Sequence, residues 1–226
     1  LDSKGWSPIC FVRLFYASIL KDYNKILHID CDTLIIDNIE ELYMTDISDE
    51  YGAACFDCIP RTKREAGLHK ETKYVSNGVL LLNLCKWRND NVERLFINYM
   101  EENDMPHLDQ DVISAVLSKK MVILDPKYNM MPVTFLYTSL CCELFDKNEP
   151  YYTKKQIDSA VANPVILHLT GNKHIGRPWN PPCFHPYYSK WLEYANNIGY
   201  NNINNNRGIG LWMKLTKFKF MRRLLF

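Results

Sequence analysis

A chain of 226 residues can build one substantial core, with an appendage at most. Apolar residues at 47% and aromatics at 13% exclude an intrinsically disordered chain. A net charge of +1 excludes global attraction to nucleic acid, and no run approaches the ~20 apolar residues of a membrane span.

In chain order, residues 11 to 20 set Val12, Phe15, Tyr16 and Ile19 at helical spacing. A strand is expected over 25 to 30, and Leu34, Ile35 and Ile36 extend the apolar character past Asp30 and Asp32. "YGAACF", 51 to 56, reads as a strand, and "YVSNGVLLLNL", 74 to 84, as a buried strand interrupted early by Asn77-Gly78. Trp87, Leu95, Phe96 and Tyr99 outline a helix whose first turn Asn89-Asp90-Asn91 weakens. Asp109 is the expected N-cap of a helix over 110 to 118, striped by Val112, Ile113, Val116 and Leu117. "MVILD" and "PVILHL" are short strands bounded by turn-formers. Strands alternating with helices predict an α/β layer architecture around a mostly parallel sheet. Ligands of such sheets bind beyond the carboxyl ends of strands, where Asp30, Asp32 and His168 are expected.

Beyond residue 195 the composition changes. "NNIGYNNINNN" holds seven asparagines in eleven residues, a polar linker with little to add to a core. Residues 207 to 226 then carry Arg207, Lys214, Lys217, Lys219, Arg222 and Arg223, with no acid after Glu193. Interleaved with aromatics, these cations predict peripheral contact with an anionic membrane, against the alternative of a terminal element packed on the catalytic domain. Eight cysteines form no visible disulfide framework: Cys31 and Cys85 sit in apolar runs, and Cys55-x-x-Cys58 has no second pair. Structural thiols in a reducing compartment, the cytosol, are the expectation.

Two carboxylates two residues apart repel each other, and a divalent cation removes that repulsion. On residues alone, Asp30 and Asp32 are either ligands or an ordinary strand end entering a turn. His168 ends an apolar strand before Gly171, with Lys173 and Arg177 nearby, and imidazole beside carboxylates suits Mn²⁺. "SNGV" is a bulge or tight turn, or else places an amide on sugar hydroxyls. Asp109, Gln110 and Asp111 are three polar side chains where capping explains one at most. Phosphate-loop, dinucleotide and hydrolase-elbow motifs are absent.

The set "FVRLFYASIL…YNKILHIDCDTLI", "YVSNGVLLLNL", "LDQDVI" and "HLTGNKHIGRPW" resembles glycosyltransferase family 8. That group includes lipopolysaccharide galactosyl- and glucosyltransferases, is related to glycogenin, and is matched here over roughly residues 8 to 180. The resemblance implies a GT-A fold with a mostly parallel mixed sheet, a UDP-sugar donor, Mn²⁺ (or Mg²⁺) and transfer with retention at the anomeric carbon. It makes Asp30, Asp32 and His168 the metal ligands. Arg13, Asp30, Asn77, Gly78 and Asp109 become donor contacts, and Gln110, beside Asp109, stands near the reacting face of the sugar. Gly171 and Arg177 match the glycine and lysine of H-x-x-G-x-x-K-P-W. Three extra residues separate them here, so Lys173 competes with Arg177 for the phosphates. Relatives carry a first strand and helix with no counterpart here, so residues 1 to 195 are read as an amino-terminally incomplete catalytic domain and 196 to 226 as linker and tail.

The function expected is transfer of galactose or glucose to a saccharide or lipid-linked saccharide, on the cytoplasmic side and without nucleic acid. The alternatives are a sugar-phosphate nucleotidyltransferase, which would want a glycine-rich, lysine-bearing loop, and an inactive membrane-associated binding domain.

Overall fold

A computed structural model describes residues 7–57, 63, 65–69, 71–136, 151–171, 175–180, 183 and 185–200. Lys173, Cys58 and the basic tail lie outside these described residues.

The chain enters through Ser7, whose side chain accepts from the backbone of Ile9, and Pro8, which suits a first helical turn. They open a 3-10 helix, Pro8–Phe15, that continues as a single α-turn, Tyr16–Ile19. Three residues per turn bring Phe11, Leu14 and Ala17 onto one buried line, while Val12 and Ile19, expected inward, are exposed. The expected stripe is out of phase because it assumed a period of 3.6.

Among the described residues six strands follow: β1 (Lys25–Ile29), β2 (Thr33–Ile35), β3 (Gly52–Phe56), β4 (Val75–Asn83), β5 (Met121–Ile123) and β6 (Ile166–His168). Four form a mixed sheet in the order β1-β4-β3-β5. β4 pairs antiparallel with both β1 and β3, and β3 pairs parallel with β5. Three strands of this sheet therefore run one way and β4 alone runs against them. β6 does not join this sheet: it pairs antiparallel with β2 in a separate two-stranded sheet, Thr33 opposite His168.

β4 organises the interior. Its even positions, Leu80 and Leu82, pack with Phe11, Leu14, Trp87, Phe96, Val112 and Leu117. Its odd positions, Val79 and Leu81, pack on the opposite face with Leu42, Ala53, Leu124 and Ile166. A strand apolar on both faces belongs in the middle of a layered α/β structure, which explains the unbroken run "VLLL".

The helix expected to start at Trp87 is two helices, Leu84–Asn89 and Val92–Glu102. They part at Asn91, which takes a left-handed conformation with φ 52° that asparagine tolerates. The helix Asp109–Leu117 begins one residue earlier than expected, so Asp109 is its first residue and does not cap it. Leu108 precedes it at φ 56°, ψ −130°, a strained backbone for a branched side chain. That turn frees the Asp109 side chain for a different use. Near the carboxyl end of the described chain, the helix Tyr188–Asn197 runs past residue 195, and Tyr200 packs its ring on Trp191 at 6.2 Å.

Candidate functional site

Because β4 runs against β1, its amino end lies beside the carboxyl end of β1. Asp30 N donates to Gly78 O at 2.8 Å, which fixes the chain just past β1 against the start of β4. The second sheet is tied in by Leu169 N, which donates to Asp32 O at 2.7 Å. Two sheets thus converge on a few residues. Asp30, Asp32 and His168 each offer one ligand atom, all within 4.8 Å of one another. Two carboxylate oxygens and one imidazole nitrogen at that spacing fit a divalent cation of the Mn²⁺ or Mg²⁺ kind.

Arg13 stands at the centre of the neighbouring network. Its Nη1 donates to Asn77 O at 2.7 Å, Nη2 pairs with Asp30 at 3.0 Å and Nε pairs with Asp109 at 3.1 Å. Asn77 Nδ2 donates to Asp109 Oδ2 at 2.5 Å. The freedom Asp109 gains by not capping its helix is spent here. His28 adds a further partner: its Nε2 lies 3.0 Å from Asp30, and its Nδ1 meets Tyr16 OH at 3.1 Å. On the other flank, Asp32 meets His168 Nε2 at 3.2 Å and Arg177 Nη1 at 3.3 Å. Arg177 also lies over the Trp179 ring at 5.6 Å.

The charges respond to these partners. Burial would raise Asp30, but the His28 hydrogen bond and the Arg13 charge outweigh it and hold this carboxyl below its ordinary value. Asp32 behaves alike: burial raises it, while His168 and Arg177 bring it lower on balance. Asp109 goes the other way. Burial exceeds the opposing effects of Arg13 and Asn77 and pushes it up to about 6.

Two expected glycines take places set by packing. A Cβ on Gly78 would lie 2.2 Å from His168 Cε1, so the missing side chain is the space in which that imidazole lies. A Cβ on Gly171 would lie 2.2 Å from Gly176 O, so the backbones of Gly171 and Gly176 stand in close contact, with Arg177 next in the chain pairing with Asp32. Buried His185 holds Thr170 O through Nε2 at 3.0 Å and accepts from Tyr187 N at 3.2 Å. Burial lowers its pKa to about 4, which keeps it neutral.

Gln110 Nε2 donates to Asp57 Oδ2 at 2.7 Å, and Asp57 is buried just past the end of β3. Sequence reasoning passed over Asp57, although "ACFD" ends a strand in acid as "LHID" does. It also missed His28 and Asn129. Asn129 Oδ1 lies 2.9 Å from His168 Nδ1, and Asn129 follows a short 3-10 turn, Pro126–Tyr128, with no motif to mark it. Asp111 is buried as well, accepting from Tyr74 OH at 2.5 Å and His107 N at 2.7 Å, which anchors the entry to its helix. Cys31, between the two aspartates, is exposed.

Comparison with known proteins gives the family and the fold. The sequence model of Glycosyl transferase family 8 matches residues 1–181. General stress protein A of Bacillus subtilis is 26% identical over 212 residues, covering 91% of this chain and 71% of that protein. Lipopolysaccharide 1,3-galactosyltransferase of Salmonella typhimurium is 24% identical over 209 residues, covering 87% of this chain and 56% of that one. Among solved structures, the galactosyltransferase LgtC, crystallised with donor and acceptor sugar analogues, superposes with a TM-score of 0.72 at 23% identity. That superposition covers 87% of this chain and 69% of LgtC, and the shared architecture is of GT-A type. The chain thus spans only a little over half of the Salmonella enzyme.

Proposed function

The chain belongs to glycosyltransferase family 8, and on that premise we propose that it is a metal-dependent, retaining transferase of hexose from a UDP-sugar. The observation that carries this reading is the convergence of Asp30, Asp32 and His168, from two separate sheets, within 4.8 Å. A divalent ion held there would act as a Lewis acid, neutralising the diphosphate of the leaving group. Arg177, or Lys173, gives the phosphates a cation, and Arg13 holds Asp30 and Asp109 in register with each other. Asn77 and Asp109 bind the donor sugar, galactose or glucose, with Gly78 beneath them as the seat of His168. Gln110, oriented by Asp57, stands at the reacting face. No carboxylate is assigned as a covalent nucleophile; the acceptor hydroxyl attacks on the face from which UDP leaves. That acceptor is a saccharide or a lipid-linked saccharide.

No helix among the described residues is long and apolar enough to cross a membrane. A location on the cytoplasmic side, with the 207–226 segment touching anionic lipid, belongs to the same proposal.

The test is calorimetry of UDP binding with and without Mn²⁺, followed by a donor screen for UDP-sugar hydrolysis. Asp30→Ala, Asp32→Ala and His168→Ala should each abolish turnover. Cys31→Ser should not, because Cys31 is exposed in the turn between β1 and β2 and is not among the residues that offer a ligand atom. Full activity in chelator defeats the metal reading, and loss in Cys31→Ser means the wrong side chains have been assigned to the site.

A further inference from the structure

Asn129 is 1% exposed and Ser76 is 3% exposed, and neither has a place in the reaction above. A buried primary amide needs partners, since an unmet polar group away from water is destabilising. Asn129 Nδ2 donates to Ser76 Oγ at 2.9 Å, which turns its Oδ1 toward His168 Nδ1, also at 2.9 Å. The backbone around Asn129 is equally fixed. Its own N donates to Pro126 O at 3.1 Å, and the next residue, Met130, exchanges hydrogen bonds with β6: its N donates to Ile166 O at 2.9 Å and its O accepts from His168 N at 3.0 Å. The amide and the imidazole are thus held on two segments bonded directly to each other.

An imidazole whose Nδ1–H is committed to a carbonyl presents Nε2 on its far side. Here Nε2 faces Asp32, 3.2 Å away, in the space shared with Asp30. Gly78 leaves room for the ring on one face and Asn129 fixes its rotation. Asn129 is not one of the three residues that offer a ligand atom.

We propose that Asn129, oriented by Ser76, is a positioning residue that fixes the proton of His168 on Nδ1 and directs Nε2 to the ion. This rests on the metal-dependent reading above. Partners of this kind typically change metal affinity by about 10- to 100-fold when removed. A purely structural asparagine would change stability without that selectivity.

The experiment uses the full chain and two readouts. Mn²⁺ binding is titrated by electron paramagnetic resonance for wild type, Asn129→Ala, Asn129→Asp, His168→Ala and the Asn129→Ala/His168→Ala pair. Expected is a loss of about 10- to 100-fold in Asn129→Ala. Asn129→Asp, which keeps an acceptor oxygen, should stay within about threefold of wild type, or about 0.6 kcal/mol. With His168 already gone, Asn129→Ala should cost nothing further. Wild-type affinity in Asn129→Ala, or the same loss with and without His168, overturns the proposal. The second readout needs no metal: long-range ¹⁵N spectra of histidine-labelled protein should place a proton on His168 Nδ1. A bare Nδ1, with the amide turned over to donate to it, overturns the proposal whatever the titration gives. A protonated Nδ1 in a protein that binds no Mn²⁺ would defeat the metal reading and leave the amide's hold on the ring standing.

Discussion

Gly78→Ala adds one methyl group to the start of β4, and the geometry fixes what that methyl meets. It would lie 2.2 Å from His168 Cε1 and 2.6 Å from Nδ1. Carbon atoms in ordinary contact stand about 3.5–4.0 Å apart, so the ring must retreat by roughly 1.3 Å or more. Metal–ligand bonds tolerate about 0.2 Å of displacement, so the ring would no longer serve as the ligand the proposal assigns it to be. We expect at least ~100-fold weaker Mn²⁺ binding, about 2.8 kcal/mol, together with ~1–3 kcal/mol of overpacking in the metal-free fold. Mn²⁺ titration gives the first quantity and urea unfolding in chelator gives the second. In a His168→Ala background the methyl enters the vacated space, so both costs should largely disappear, leaving a strong coupling between the two sites. Mn²⁺ affinity of Gly78→Ala within threefold of wild type, or losses that simply add to those of His168→Ala, would refute the reasoning.

Asn77→Ala should reduce transfer more than UDP binding, because its amide is assigned to the sugar; equal losses in turnover and in calorimetric UDP affinity would return Asn77 to a structural role. Asp109, raised to about 6 by burial, should impose a limb on the kcat/KM profile, with activity rising as the carboxylate ionises through that pH. Asp109→Asn should be slower and lack this limb, and a limb that persists in the variant removes Asp109 as its source. For stability the sign is opposite: the folded value lies above the unfolded one, so the contribution of Asp109 declines as pH rises from roughly 4 to about 6, which urea titrations would register. Deleting 207–226 should leave UDP-sugar hydrolysis nearly intact and abolish sedimentation with anionic vesicles at low salt; a misfolded truncate would assign the tail to the core.

Elements whose character is local were legible. β1, β3 and β4 stand within a residue or two of their apolar runs, and Asp30, Asp32 and His168 do converge. Strand direction was not legible, because alternation at period two reads the same forwards and backwards. Hence the opposed course of β4 and the union of β6 with β2 came only from the structure. The first helix was misphased because three residues per turn buries Phe11 and Leu14, where 3.6 would have chosen Val12 and Phe15. Local rules make Asp109 a cap because they cannot foresee Arg13, 96 residues away, as its partner. Asn129 gave no sign at all: its importance lies wholly in what it touches.

The pairing of β2 with β6 also sets a schedule. Asp32 and His168 meet across 136 positions of sequence, through a two-stranded sheet only three residues long. Contacts that distant are reached late, because the entropy of closing so long a loop must be met before the contact returns anything. During synthesis the amino-terminal part emerges first, so a growing chain displays its two aspartates well before the imidazole exists. On the metal-dependent reading, such a chain would offer a hard cation two carboxylates without the imidazole that completes the set. On that reading, competence to hold an ion would therefore arrive with the closure of β2 on β6.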